Sequence, residues 1–315
     1  WDRDRGQADY DTDGMVVKVD DLPQREQLGA TSKYPRWCIA YKYAAEQAQT
    51  VLESVSFEVG RTGVVTPVAH FAPVQLAGTM VSNASLHNFD QVARLGLHEG
   101  DTITVAKAGE IIPQVVGVDA ASRIVAATPI EPPATCPCER QSLLAWRPVP
   151  DGFQAYQCTN PDCTEYLKRI LRKKRGLCAK CDQAMEEVDH MTELLCMSED
   201  CPERLKVGIA FFAGRSQMDI DTLGPEVVAR VVDAGLVRHI ADLYELDLFA
   251  VAGLDGFGVV SAQKLIDAIA ASKSRGFATV LRSLGIRQVG ARTAEDIAAR
   301  FGDIDALMAA SETEL

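Results

Sequence analysis

The 315-residue sequence has no run of about 18 apolar residues, so nothing in it reads as a membrane-crossing helix. It has no recognisable signal peptide. It also lacks an excess of positive charge. Its 32 Lys and Arg face 44 Asp and Glu for a net charge of −12, which argues against a simple basic coat for nucleic acid. DNA is not excluded, because contacts depend on local charge and backbone amides rather than on the total. The chain does not open on methionine but on Trp1, and is read as a piece of a longer polypeptide. A hydrophobic content of 47% and a charged content of 24% suit two or three ordinary folded domains.

Cysteine, by contrast, is abundant. There are nine, and all but Cys38 fall between Cys136 and Cys201. Without an export signal, such a cluster favours metal over disulfides. Cys178-Ala-Lys-Cys181, with Cys196 and Cys201, supplies two thiolate pairs, the set a tetrahedral zinc requires. A companion set is Cys136, Cys138, Cys158 and Cys163, in which Cys136-Pro-Cys138 has one spacer residue rather than the usual two. Four thiolates leave no open position, so such a zinc is structural rather than catalytic. Shifting the chain by 38 residues lays Cys158, Cys163, Glu165, Leu167, Lys168 and Gly176 on Cys196, Cys201, Glu203, Leu205, Lys206 and Gly214. That repeat predicts a duplicated unit, each copy a cysteine pair running into a helix. Cys38, alone in Trp37-Cys38-Ile39-Ala40, reads as a small core residue.

Strands are expected at residues 13–19 and 37–43, with a helix-like stretch over 22–28 between them. From about Val51 to Asp119 short strands (Val55–Val59, Gly63–Val68, Thr102–Lys107, Gln114–Val118) alternate with glycines, the texture of a small β-barrel. Ala126 to Pro137 reads as a loose linker. After about Lys206 the sequence turns helical, and three glycine turns recur: Asp219-Ile-Asp-Thr-Leu-Gly224, Leu254-Asp-Gly256-Phe-Gly258 and Leu284-Gly-Ile-Arg-Gln-Val-Gly290. Each precedes a helix rich in alanine and valine, as in helix–hairpin–helix motifs, and the chain stops in what reads as the lead-in to a fourth. A glycine turn at a helix start offers amides to a phosphate, whereas a single one is equally an ordinary tight turn. The run Lys168-Arg-Ile-Leu-Arg-Lys-Lys-Arg175 holds six cations in eight positions, suited to a solvated helix face or to phosphate contact. Lys18 and Lys42 each end a strand-like run, either as surface ion-pair partners or as charges for a nucleotide phosphate.

In order, these pieces resemble the bacterial NAD-dependent DNA ligases. Asp13-Gly-Met-Val-Val-Lys18-Val and Trp37-Cys-Ile-Ala-Tyr-Lys42-Tyr resemble the fourth and fifth nucleotidyltransferase motifs. Val59-Gly-Arg61-Thr-Gly-Val-Val-Thr-Pro-Val-Ala69, Val81-Ser-Asn-Ala-Ser-Leu-His-Asn88 and Lys107-Ala-Gly-Glu-Ile-Ile-Pro113 resemble signature stretches of the family's oligonucleotide-binding barrel. The resemblance implies an α+β multi-domain chain. Its expected parts are the end of an adenylation domain (1–47), an OB-fold barrel (48–127), a duplicated zinc-ribbon region (128–206) and a helix–hairpin–helix domain (207–315).

The implied activity joins a 3′-hydroxyl to a 5′-phosphate at a nick in duplex DNA, through enzyme-AMP and DNA-AMP intermediates. NAD+ is the cofactor, with magnesium or manganese neutralising phosphate charge and zinc in the ribbon. The resemblance puts Lys18, Lys42 and Arg5 on the adenylate and its phosphate. It gives Asp13 a structural or metal-organising role, and Cys178, Cys181, Cys196 and Cys201 the family zinc. DNA falls to Arg61, Lys107, Gly224, Gly256, Gly258 and Gly290. A cytoplasmic, nucleoid-associated monomer without a membrane partner is implied. The family's nucleophile motif, Lys-x-Asp-Gly, is absent, as are the domain that grips nicotinamide and a terminal BRCT domain. The chain alone is therefore expected not to form lysyl-AMP. Two rivals are a DNA-binding protein that has lost the chemistry and an excision-type repair factor; the latter leaves the first fifty residues unexplained.

Overall fold

A computed structural model describes residues 14–31, 34–42, 46–76, 78–108, 112–124, 126–138, 140–150, 154–157, 169–172, 185–188, 190–311 and 314. The chain forms two compact units, Trp1–Ser56 with Pro67–Glu131, and Phe57–Thr66 with Pro132–Leu315.

The first unit begins with β1 (Gly14–Lys18) and β2 (Cys38–Lys42), antiparallel, with Gly14 opposite Lys42 and Lys18 opposite Cys38. The helix α1 (Leu22–Leu28) lies between them in sequence. Asp21 starts it by accepting the N–H of Gln24 at 2.9 Å, and Gly29, at φ +62°, ends it. Arg25 ties the helix back: its guanidinium lies 4.7 Å from the Trp37 ring centroid and its Nε donates to the Val19 carbonyl. Cys38 is half-buried rather than a core residue, since a two-stranded ribbon cannot enclose it.

The barrel has β3 (Gln47–Val59), β4 (Val64–Leu76), β5 (Thr79–Ser85), β6 (Thr102–Ala108) and β7 (Ile112–Val118). Neighbours run β3-β6-β7-β5-β4, and a β3–β4 pairing closes the ring. The β5–β7 contact, Ser85 to Gln114, is parallel, while β3–β6, β6–β7 and β4–β5 are antiparallel. The short strands expected near residues 55–59 and 63–68 are adjoining ends of two 13-residue strands. Burial alternates along β4, and Leu52, Phe71, Leu76, Leu86, Ile103 and Val105 form a sealed core. Each such side chain contributes roughly 1.5–3 kcal/mol on leaving water. The helix α2 (Phe89–Leu95), capped by Asn88 and stopped by left-handed Gly96, adds Phe89 and Val92 to the unit's buried residues. Asp101 is fully buried but ion-paired to Arg123 at 2.7 Å, and it accepts the His98 N–H at 2.8 Å. The stretch expected to be a loose linker is partly fixed: the Ile130 N–H donates to Leu97, and the Glu99 N–H to Thr128, both at 3.0 Å.

In the second unit β8 (Leu144–Pro148) pairs antiparallel with β12 (His190–Cys196), which also pairs with Val64 and Val65. A separate three-stranded sheet has β9 (Gln154–Gln157) between β10 (Arg169–Arg172) and β11 (Glu186–Val188). Helices α3 (Pro202–Phe212), α4 (Pro225–Asp233), α5 (Leu248–Ala252), α6 (Val259–Ser272), α7 (Phe277–Ser283), α8 (Ala291–Phe301) and α9 (Ile304–Ala309) follow. They pack as the hairpins α3–α4, α5–α6 and α7–α8. The first two share a core that includes Ile209, Val228, Val231, Leu243, Val251 and Leu265.

Among the described residues the two expected copies differ. Residues 169–172 take their backbone hydrogen bonds from β9, whereas the positions 38 residues on, 207–210, lie inside α3. No described helix is long and apolar enough to cross a membrane.

Candidate functional site

The three glycine turns share one construction. Gly224, Gly258 and Gly290 each precede the first residue of a helix, in extended backbone, and no side chain caps any of these starts except Ser261 at Gly258. Two residues earlier the backbone is left-handed each time: Thr222 at φ +68°, Gly256 at +74° and Gln288 at +66°. That residue reverses the chain ahead of each helix start, where Pro225 has no N–H to offer and the Gly258 N–H is taken by Ser261 Oγ, but no side chain caps the other first-turn amides. These amides, with the helix dipole behind them, form a concentrated positive potential without a basic side chain. A largely acidic chain can therefore still offer phosphate sites.

Arg61, Arg140, Arg204 and Arg238 also line a cleft of about 760 Å³ with Leu205 and Phe211 as apolar lining. Glu199 and Asp200 share its rim, and Arg140 faces Asp200 at 3.7 Å.

The cysteines come together differently from the sequence expectation. Cys136, Cys138, Cys196 and Cys201, all buried, place their sulfurs within 4.8 Å of one another, with Cys136 and Cys201 at 4.0 Å. Zinc–sulfur bonds of about 2.3 Å set tetrahedral sulfurs about 3.8 Å apart, so this donor set fits a four-coordinate metal. None of the four is in a disulfide.

The two expected sets are thus recombined, half from each. Cys158, Cys163, Cys178 and Cys181 lie outside the described residues. The cause is the chain path. Cys196 ends β12 and Cys201 precedes α3, while β8 pairs with β12 and brings the preceding turn alongside. In that turn the Cys136 N–H donates to Ser142 and the Gln141 N–H to Cys138, both at 2.9 Å, so one spacer residue suffices for a knuckle. Gly63 locks the other side: its carbonyl accepts the Cys196 N–H at 2.8 Å, and a Cβ there would meet the Cys196 carbonyl at 3.1 Å.

Burial pushes the Cys136 and Cys201 thiols up. At Cys138 burial acts the same way but is outweighed by hydrogen bonds from the Ser142 and Arg140 backbone and from Cys136 and Cys201, which hold it down to about 7. Four crowded thiols cannot all ionise without a cation, and a dication removes that conflict.

The remaining expected residues are scattered. Lys18 is exposed on β1, and the register separates positions 18 and 42 by four ladder steps, roughly 13 Å. Arg5 and Asp13 lie outside the described residues, as do Lys168 and residues 173–175 of the basic run, whose described part is the strand β10 rather than a helix. Lys107 donates to the Thr79 hydroxyl at 2.6 Å. Arg61 donates to the Gly285 carbonyl at 2.8 Å and lies 4.2 Å from the Phe211 ring centroid. Sequence reasoning missed Arg230, which donates to the Asp255 carbonyl at 2.9 Å, and Arg275, which is ion-paired to Asp219. Their partners are 25 and 56 residues away, so no spacing signal could have found them.

Comparison with known proteins gives a consistent picture. Residues 1–46 match the family model for the NAD-dependent DNA ligase adenylation domain, residues 49–127 that for the NAD-dependent DNA ligase OB-fold domain, and residues 279–315 that for the helix-hairpin-helix motif. A DNA ligase of Chloroherpeton thalassium is 40% identical over 316 residues, covering 100% of this chain and 40% of the relative. DNA ligases of Christiangramia forsetii and of Synechococcus sp. strain RCC307 are 41% and 42% identical, each aligned over 100% of this chain. The chain spans about two fifths of the length of these relatives, at 40–41%.

Proposed function

The chain belongs to the NAD-dependent DNA ligase family, and from that premise we propose that it is the part of a nick-sealing enzyme that grips duplex DNA on either side of the break. The observation that carries this is the series of three glycine turns, each leading into a helix start whose amides, apart from that of Gly258, have no side-chain cap. Amides contact the phosphodiester backbone without reading bases, so binding should be indifferent to sequence and should fall steeply with salt. Gly224, Gly256, Gly258 and Gly290 are the turn residues on this reading, with Lys107 and the arginine-lined cleft adding local positive charge.

The ligation reaction needs AMP from NAD+ and a divalent metal, magnesium or manganese, to neutralise phosphate charge. Lys18, Lys42 and Arg5 are proposed to contact the adenylate and its phosphate. Lys-x-Asp-Gly is absent from this chain, so the lysine that would receive AMP is not among its residues. The cysteine centre is assigned to zinc on Cys136, Cys138, Cys196 and Cys201. Four sulfur donors leave no coordination position for water or substrate, so the metal's contribution is folding.

The test has two arms. Incubated with NAD labelled in its adenylate group and run on a denaturing gel, the chain should carry no label at its mass; a labelled band contradicts the assignment. Added to a complete ligase of the family with limiting nicked duplex, the chain should compete and slow sealing, while an equal amount of heat-denatured chain should not. No slowing at saturating chain defeats the DNA-gripping role. A second reading is a DNA-binding module without adenylation chemistry. Under that reading, substitution of Lys18 leaves every activity of the full polypeptide intact.

A further inference from the structure

We infer that Arg61, Arg230 and Arg275 are positioning residues, each fixing one glycine turn of the hairpin array so that its helix-start amides are presented, and that none of the three serves as a phosphate contact. What those amides face rests on the DNA reading above; the positioning does not.

Each turn is gripped by an arginine from outside it. Arg275 pairs with the Asp219 carboxylate, and Asp219, at φ +51°, lies five residues before Gly224. Arg61 donates to the carbonyl of Gly285, at φ +64°, which lies five residues before Gly290. Arg230 donates to the Asp255 carbonyl beside Gly256, two residues before Gly258. The three arginines come from different places: the β3–β4 connection, the last turn of α4 and the segment before α7.

The turns need such support. A non-glycine residue in left-handed backbone persists only where its surroundings over-determine it, and Asp219, Thr222 and Gln288 are all in that region. Guanidinium suits the task because its planar fork can hold a carbonyl while lying on a ring, as Arg61 does on Phe211. The fit is close. A Cβ on Gly285 would come within 1.9 Å of Arg61 Nη1, and one on Gly256 within 2.6 Å of Arg230 Nη1. Exposed arginines beside a nucleic-acid face are ordinarily read as phosphate contacts, but these three direct donors at their own chain.

The test combines hydrogen exchange on the free 315-residue chain with salt titrations of binding to a nicked duplex oligonucleotide. R61A, R230A and R275A should each speed exchange about tenfold, roughly the loss of one charged hydrogen bond, and only in the turn that arginine grips. R61K, R230K and R275K should restore much of the protection, since an ammonium can still reach one acceptor. Affinity for the duplex should fall several-fold in the alanine variants, while the slope of log affinity against log salt stays at the wild-type value. A slope shallower by about 0.9 per substitution marks a lost phosphate contact and overturns the assignment. Unchanged exchange in the matching turn, or a rise spread over the whole unit, overturns it equally. If the wild-type chain fails to hold the duplex at all, the DNA reading falls, and the exchange data alone decide the arginines.

Discussion

In the hairpin array, three turns far apart in sequence adopt the same backbone path, with a left-handed residue two places before the glycine that precedes each helix. In the cysteine region, two segments that share residue types at a 38-residue offset differ where the first is described: residues 169–172 form the strand β10, while 207–210 lie inside the helix α3. The difference lies in what the repeated residues control. A glycine turn acts on its own φ and ψ and on the next few amides, so repeating it repeats the local fold. A cysteine imposes almost no local conformation. Its role is set by which other sulfurs the chain path brings near, and here the β8–β12 pairing joins Cys196 and Cys201 to Cys136 and Cys138.

The largest expected effect tests the cysteine side. Cys196→Ser or Cys201→Ser should release the bound zinc and unfold the start of α3 with the ribbon, a loss on the order of 10 kcal/mol. Metal analysis and circular dichroism would report it. Cys178→Ser should leave that zinc in place; if it removes the same metal, the two segments are joined after all and the contrast drawn above collapses. Counting zinc in the purified wild type sharpens the point. One equivalent is accounted for by the described cluster, and a second would have to sit on the other four cysteines.

On the hairpin side, Leu265→Ala removes a fully buried side chain shared by two hairpins. It should cost about 2–5 kcal/mol in denaturant titration, with the barrel unit's own transition unmoved. A common shift of both transitions would show that the two units do not unfold separately.

Smaller still, Gly285→Ala combines a left-handed φ with a collision against Arg61. It should destabilise by about 1–2 kcal/mol and lose part of that penalty when Arg61 is already alanine. Strict additivity of the two substitutions would deny the contact. The smallest effect is a gain. Thr222→Gly and Gln288→Gly put glycine where the second turn already has Gly256, and each should stabilise by up to about 1 kcal/mol. A loss at either site would mean that the side chain, not the backbone, is what that turn requires.

Much of the fold was legible because local rules governed it. Short strands alternating with glycines announced the barrel, and the glycine turns announced the hairpins. The strands β1 and β2 fall within a residue of expectation, and α1 covers the expected stretch. What failed was nonlocal. The Cys136-Pro-Cys138 pair, one spacer residue short of the usual knuckle, was expected in a set with Cys158 and Cys163, whereas its turn, closed by the Gln141 N–H on Cys138, faces Cys196 and Cys201. Nor could the sequence show that Arg61 and Lys107, expected by resemblance to face DNA, also donate to the Gly285 carbonyl and the Thr79 hydroxyl. Charge in a sequence gives a sign without a direction, and direction decides whether an arginine faces a ligand or its own chain.

The central claim is that this chain holds broken duplex DNA through backbone amides. The most direct measurement is equilibrium binding to a nicked duplex at 50 and 200 mM salt, repeated with an unrelated nicked sequence. The account predicts similar affinities for both sequences and a fall of about a thousandfold or more between the two salt concentrations, as for six or more phosphates engaged. Weak binding that salt scarcely changes, or strong preference for one sequence, would contradict it.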